Sequence, residues 1–568
     1  MATRTAPPQE TAVVKAKPGL FAGKRGRKTR EALLAYALLL PAFIIIFTFG
    51  LFPLAFSAYQ STLRGLNKIV GTYDGLGNYV RAVDNLAYVL GFWISVVFVF
   101  LAVKAIQKIR QTAGQYQESM WIWTLPGLVT AVAMSLFMRF FFILLPEMLS
   151  IPEKAPRGQS LTRELSVQFI QEAWQLDTVQ NSFRLFILAL SLALVTAYLV
   201  YRYAPRSPRR TAYFSGFLQA FLFLIAAAAL ASLTYSEIQR AYAEALAKGE
   251  GLEIWAQIIT ISAGLMLLIL SYVLWRSASD RDSMLKVLLR MGGAIVLAVG
   301  AWVLIAELPR VIAAGDKNWW QGLLATVYFA IFTIPLQFTI ALTLATILFQ
   351  NLRGTTWFRI FFFLPYIAPL IGTAAAFRII FSGRANAPVN SILISLGLEP
   401  LRWLNEPTGI FQLMSGSNID IPAWLTGPSL ALFTIILYNV WTYIGFDMVI
   451  FLAGLGNISK ELYEAASIDG SGRWGQFRHI TLPLLSPTIY FLMLLAVIGT
   501  FKAFNRIYVM RLGAALGTTD TASVVIFETF NRDTRYGYAS ALAMLLLIII
   551  IILTVVNNRI AEERVFYG

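Results

Sequence analysis

EAASIDGSGRWGQFRHITLP, Glu464 to Pro483, is a polar, glycine-punctuated island between two long apolar runs. Its local signals are legible. Ser459 is placed to N-cap a short helix in which Leu462, Ala465 and Ala466 share a face at i, i+3 and i+4. Gly470 suits the left-handed position just past that helix's end. Ser471 is then expected to cap a second short helix with Trp474, Phe477 and Arg478 on one side, and Pro483 to start the return to an apolar environment. A polar segment tied at both ends to apolar spans is suited to mechanical contact with something in water.

Outward from this island, the chain carries apolar runs near 33–56, 86–106, 121–146, 183–203, 212–234, 253–275, 287–307, 321–349, 357–381, 429–455, 486–507 and 537–557. Each is long enough to cross a bilayer. A chain of 568 residues that is 58% hydrophobic and only 13% charged has no soluble core large enough to hide that surface. The fold class expected is all-α, a polytopic membrane protein of about twelve spans. The formal charge of +16 does not point to nucleic acid, because the basic residues sit in short clusters between apolar runs, such as Arg202–Arg210 and Arg276–Arg290. With the basic amino-terminal segment inside, alternation places both termini and the 464–483 island in the cytoplasm. The polar residues 1–30 read as a disordered tail.

The island resembles a motif of a known family, the permease subunits of binding-protein-dependent ABC importers, and within it the maltose-type carbohydrate permeases. Their cytoplasmic EAA loop runs roughly EAAxxDGAxxxxxFxxIxLP, which is matched here by Glu464, Ala465, Ala466, Asp469, Gly470, Phe477, Ile480, Leu482 and Pro483. Ser471 stands where alanine is usual, a small-for-small change. GLGNYV, Gly75 to Val80, resembles the family's GLxNY signature. The resemblance covers 31–90, the first helix and an external segment, and 318–559, a type I importer permease core with its coupling loop at 459–485. Between them, 91–317 is an inserted set of extra helices that does not match.

The resemblance implies an integral-membrane subunit that forms a sugar path with a second permease. A pair of ATP-binding subunits would hold ATP and Mg, and an external solute-binding protein would deliver the substrate. Glu464, Ala465, Ala466, Asp469, Gly470, Phe477, Ile480 and Pro483 would couple this chain to the ATPase. Asn439 lies 25 positions before Glu464, the offset of a sugar-contacting asparagine in the maltose-type permease, with Trp441 beside it. Lys502 and Asn505 fall at or next to family positions that also face substrate.

Residue chemistry adds to this. A neutral sugar crossing a bilayer needs amides for its hydroxyls and aromatic rings for its C–H faces. Asn439 and Tyr443 are i and i+4, and Lys502 and Asn505 are i and i+3, so each pair is expected to share a helix face. A lysine at membrane depth costs about 2.5 to 3.5 kcal/mol on insertion scales, which favours a position facing water or a partner. No GxxxxGK[ST] occurs, cysteine is absent, and His479 is the single histidine. The chain therefore offers no nucleotide loop, thiolate metal site or Ser-His triad of its own, and no enzyme activity is expected. A permease for peptide, phosphate or polyamine, or a twelve-helix secondary transporter, would share the span pattern, although Lys104–Met120 lacks the acidic-Arg-Gly loop of the major facilitator class.

Overall fold

The structure is a computed structural model that describes residues 23–65, 71–150, 162–203, 207–249, 253–277, 284–350, 353–415 and 426–564. It divides into a short unit, residues 1–58, and a large one, residues 59–568. In the short unit, helix α1 (Gly23–Ile46) passes through a π-turn into α2 (Phe52–Gln60), whose last two residues begin the large unit. The helix thus starts inside the tail expected at 1–30, and residues 1–22 lie outside the described residues. Among the described residues, ten helices are long and apolar enough to cross a membrane, or twelve if two bent pairs each count as one span. All fall where the apolar runs predict them.

The large unit opens with a two-stranded hairpin, β1 (Leu63–Arg64) and β2 (Thr72–Tyr73), and α3 (Gly77–Val83). The GLGNYV stretch organises this corner. The Asn78 amide donates to the carbonyls of Ser61 and Leu63 at 2.9 and 2.8 Å, and the Tyr79 hydroxyl lies 2.6 Å from Ser61 Oγ. Next come α4 (Leu86–Tyr116), α5 (Thr124–Leu149), α6 (Arg163–Gln175), α7 (Asp177–Tyr203), α8 (Arg210–Ala247), α9 (Glu253–Ser277) and α10 (Met284–Ala314). Helices α4 and α8 pack together, as do α5 and α7, while α9 and α10 form a hairpin whose backbones approach at Gly264 and Gly300. The boundary expected at residue 91 falls inside α4. Its first turn already packs inward, Ala87 with Trp319 and Tyr88 and Val89 with Ile238, Ile258 and Val311.

The second half is built on two long helices, α11 (Lys317–Phe349) and, after an external stretch, α16 (Leu430–Gly456). Asp316 caps α11 by accepting from the Asn318 and Trp319 amides, and Ser429 caps α16 by accepting from Leu432. Between them, the run expected as one span at 357–381 is instead two helices, α12 (Thr355–Ile367) and α13 (Leu370–Ile380), bent by 96°. Ala368 precedes Pro369 and is held extended, φ −62° and ψ 146°, because a residue before proline avoids the helical region. Among the described residues of the stretch before α16 are two short helices, α14 (Pro388–Ser395) and α15 (Ile410–Ser415).

After α16 the chain forms α17 (Lys460–Ile468), α18 (Arg473–Gln476), a π-turn at Phe477–Thr481, α19 (Leu482–Leu484) and α20 (Ser486–Phe501). The expected span 486–507 ends at Phe501, short of its predicted limit, and α21 (Asn505–Met510) is a separate piece. The carbonyls freed at this break are met from α22 (Ala522–Asn531). Ser523 Oγ donates to Phe501 O at 3.0 Å, and Thr521 Oγ1, just before α22, donates to Ala503 O at 3.4 Å. Lys502 and Asn505 are therefore not on one helix face, contrary to their i, i+3 spacing. Helix α23 (Tyr536–Arg564) then runs back alongside α20, and Tyr490 Oη donates to Asn558 Oδ1 at 2.6 Å. The α17–α19 segment and the end of α23 thus share one end of the bundle. Asp316, Tyr538 and β1 lie at the other.

Candidate functional site: an exposed coupling segment and a buried polar chain

Helix α17 follows its sequence signals closely. Ser459 Oγ accepts from the Glu461 amide at 3.3 Å, and Gly470 adopts φ +80°. Ser471 N donates to Ala466 O at 2.9 Å and Gly470 N to Ser467 O at 3.1 Å, a helix end that a left-handed residue makes possible. The second expected cap differs. Gly472, not Ser471, stands at the N-cap of α18 and supplies no side chain; the Ser471 carbonyl instead accepts from Gln476 Nε2 at 3.3 Å. That same amide nitrogen reaches Ser467 Oγ at 2.8 Å and Tyr463 O at 3.4 Å, so Gln476 ties α18 back onto α17. Tyr463 Oη lies 2.9 Å from Thr481 Oγ1, which fastens α17 to the chain entering α20.

What this clamp leaves outward decides the segment's chemistry. Glu464, Ala465, Asp469 and Gly470 are exposed, and Ala466, Phe477, Ile480 and Pro483 are half-buried. Apolar side chains are left in the open: Ile468 is 87% exposed, Trp474 72% and Leu462 46%, with Trp474 stacked on Phe477 at 5.6 Å. Apolar side chains this exposed, beside small alanines and a carboxylate, form a patch of the kind that marks protein interaction sites. His479 Nδ1 lies 3.0 Å from Gly475 O, a local bond within the turn.

Within the membrane-spanning helices a polar chain crosses the bundle. The Arg506 guanidinium, at the start of α21, donates to Asn439 Oδ1 and, at 3.0 Å, to the Tyr443 hydroxyl, and sits 4.6 Å over the Tyr443 ring. Asn439 Nδ2 donates to Gln337 Oε1 at 3.4 Å, and Gln337 Nε2 donates to Asp447 Oδ2. Two amides thus link a guanidinium to a carboxylate, each donating to the next acceptor along the line. Asn439 and Asp447 are each 3% exposed and Gln337 5%. Burial of this depth is tolerated because each side chain is hydrogen-bonded to the next and the end charges are opposite.

Asn439 and Tyr443 are brought together on one face, as their spacing predicts. Asn439 spends both ends of its amide inside the protein. Trp441, by contrast, is 39% exposed and stacks on Phe377 at 5.0 Å, beside Tyr438, whose hydroxyl bonds Thr373 Oγ1 at 2.8 Å and the Leu370 carbonyl at 3.0 Å. Lys502 and Asn505 are exposed at the break between α20 and α21 and stand outside the Asn439 chain.

Three participants escape a reading by motif. Arg506 and Gln337 are signalled only as polar residues in or at the edge of apolar runs, where a charge or amide needs a partner. Gly445 is signalled by nothing local. A Cβ on it would run into the Phe362 carbonyl of α12, so α12 crosses α16 in backbone contact. Gly445→Ala should push α12 off α16 at a cost of about 1 to 3 kcal/mol. A lowered midpoint of thermal inactivation of the purified protein checks this, and an unchanged midpoint would contradict the close approach.

Among the described residues, ten to twelve helices long and apolar enough to cross a membrane, with a short exposed helix pair at one end and a polar chain inside, define a polytopic membrane protein. Residues 308–565 match the family model of the binding-protein-dependent transport system inner membrane component, and the chain belongs to this family. The lactose transport system permease protein LacF of Rhizobium radiobacter is 32% identical over 253 residues, which cover 44% of this chain and 78% of that protein. The trehalose/maltose transport system permease protein MalF of Thermococcus litoralis is 29% identical over 255 residues, 45% of this chain and 78% of that one. Among solved structures, a bacterial ABC transporter involved in import of the acidic polysaccharide alginate is 20% identical with a TM-score of 0.38, over 48% of this chain and 95% of that chain.

Proposed function

We propose that this chain is one permease subunit of an ATP-driven carbohydrate importer and lines the sugar path together with a second permease. Relatives named for lactose and for trehalose and maltose support the sugar class. In this reading both termini are cytoplasmic, a pair of separate ATPase subunits binds ATP and Mg, and a solute-binding protein docks at the opposite end. Residues 318–559 are the transport core, and the 91–317 helices lie around it. The observation that carries the proposal is the exposed α17, with Glu464 and Ala465 outward and Leu462 and Ile468 uncovered.

The connections suggest how force would travel. Gln476 and Tyr463 join α17 to α18 and to Thr481, so a push on α17 is transmitted into α20. At its far end α20 gives way to α21, where Arg506 holds Asn439 and Tyr443 of α16. A rocking of α20 against α16 would strain or release this latch, and the exposed Trp441, Lys502 and Asn505 would meet the sugar in the space beside it. Glu464→Lys reverses the exposed charge without touching a buried contact. Purified through an affinity tag from native membranes, this variant should carry about tenfold less ATPase than the wild type. Full recovery of the ATPase, with normal uptake, would remove α17 as the coupling site.

A further inference from the structure

At the end of the bundle opposite α17, three arginines converge on one pocket. Leu63, Arg64, Asn78, Arg81, Arg535 and Tyr538 line a cavity of about 450 Å³ where β1 and α3 meet the start of α23. The Arg81 and Arg535 guanidiniums lie 5.6 and 4.5 Å from the Tyr538 ring centre, so one buried ring carries two cations. Arg81 is steered by a 3.5 Å bond to Asn78 Oδ1, and Asn78 is itself fixed to the Ser61 and Leu63 carbonyls.

Among the described residues none of the three arginines forms an ion pair. Asp74 acts on Arg81 without an ion-pair contact, and the other carboxylates nearby are engaged elsewhere. Asp316 accepts from the Tyr538 hydroxyl at 2.6 Å and caps α11, while Asp520 and Glu528 are taken by Arg511. Burial, together with Arg535 and Arg64, holds the Arg81 guanidinium below its ordinary pKa, with Asp74 the carboxylate that opposes them. Three like charges held together by packing, on a pre-oriented scaffold, are a site short of its counter-ion.

We propose that this pocket binds a phosphate oxyanion, carried by an anionic lipid headgroup or free in solution. Three separate guanidinium forks suit a tetrahedral group with several acceptor oxygens better than a carboxylate with two. The pocket stands at the start of α23, a helix long and apolar enough to cross a membrane, and such a helix end is where headgroup phosphates would lie. A bound phosphate would brace the corner that the GLGNYV stretch builds.

The test is thermal denaturation of the full-length protein, purified in detergent with its partner subunits. It is titrated with short-chain phosphatidylglycerol, with short-chain phosphatidylcholine and with inorganic phosphate. Phosphatidylglycerol is expected to raise the midpoint saturably, and Arg81→Gln or Arg535→Gln to weaken half-saturation by about tenfold. Arg310→Gln, on an exposed arginine of α10 outside the pocket, should leave the response as in wild type. Arg64→Gln alters an exposed side chain and reports on the site even if the two more buried variants fail to fold. Stabilisation by inorganic phosphate that needs the same arginines identifies a free anion as sufficient; stabilisation by phosphatidylglycerol alone identifies the lipid. Equal responses in wild type and Arg64→Gln, or no response to either anion, would overturn the site.

Discussion

Gly470→Pro should leave the protein in the membrane and reduce uptake of labelled sugar by about fiftyfold or more. Gly470 adopts φ +80°, and proline is locked near −65°, so the α17 end cannot form around it. The substitution also removes the amide that donates to Ser467 O, and it displaces Ser471, whose amide closes on Ala466 O. The damage is to direction as much as to stability. Helix α18 no longer returns under Gln476, and the exposed face with Glu464 and Ala465 is turned from the partner that covers it. Gly470→Ala, which keeps the amide and costs about 1 to 2 kcal/mol for the left-handed backbone, should retain measurable uptake. Near-normal uptake in the proline variant would show that the geometry of this turn is not used in transport.

The second large effect is expected at Arg506. Arg506→Ala removes two charge-assisted bonds at once and leaves Asn439 Oδ1 and the Tyr443 hydroxyl without their donor. Unmade buried bonds cost about 1 to 3 kcal/mol each, so uptake should fall roughly thirtyfold, with a lowered thermal midpoint. Removing the guanidinium also strips Asp447 of the opposite charge it meets through Gln337 and Asn439. A double substitution, Arg506→Ala with Asp447→Asn, should therefore lose less than the sum of the two single changes, because it removes both end charges. If α17 is the ATPase contact, as proposed, ATPase binding should be unchanged in all three. Additive losses in the double variant would mean that the chain is not electrostatically joined. Asn439→Ala breaks the same line at its middle and should reduce uptake by a smaller factor, roughly fivefold to tenfold.

The legible parts of this protein are those whose physics is local. Runs of apolar residues longer than the bilayer's thickness announce spans wherever they occur, and all of them form helices here. The α17 caps are equally local, since Ser459 and Gly470 act on backbone groups within a few residues. Errors begin where a neighbour supplies what the local pattern lacks. The run through residue 507, apolar up to Lys502, reads as one helix. Yet α20 stops at Phe501 because Ser523 and Thr521, some twenty positions later, accept the role of satisfying its last carbonyls. The 96° bend falls at Ala368, which Pro369 holds extended, while the close crossing of α12 over Gly445 of α16 appears only in the tertiary structure.

Sequence by itself therefore determined the class of protein, the place of its apolar helices and the local turns of the 459–483 segment. Each of these depends on hydrophobic length or on contacts within one helical turn. Only the tertiary structure decided that Gln337, Asn439, Asp447 and Arg506 form one buried line, since Gln337 and Asp447 stand 110 positions apart and Asn439 and Arg506 stand 67 apart. It decided likewise that Arg64, Arg81 and Arg535 share a pocket. A lone polar residue in an apolar run says that a partner must exist, because burial without one is too costly. Which partner is a matter of how the helices pack, and that is settled by the shape of whole faces rather than by spacing along the chain.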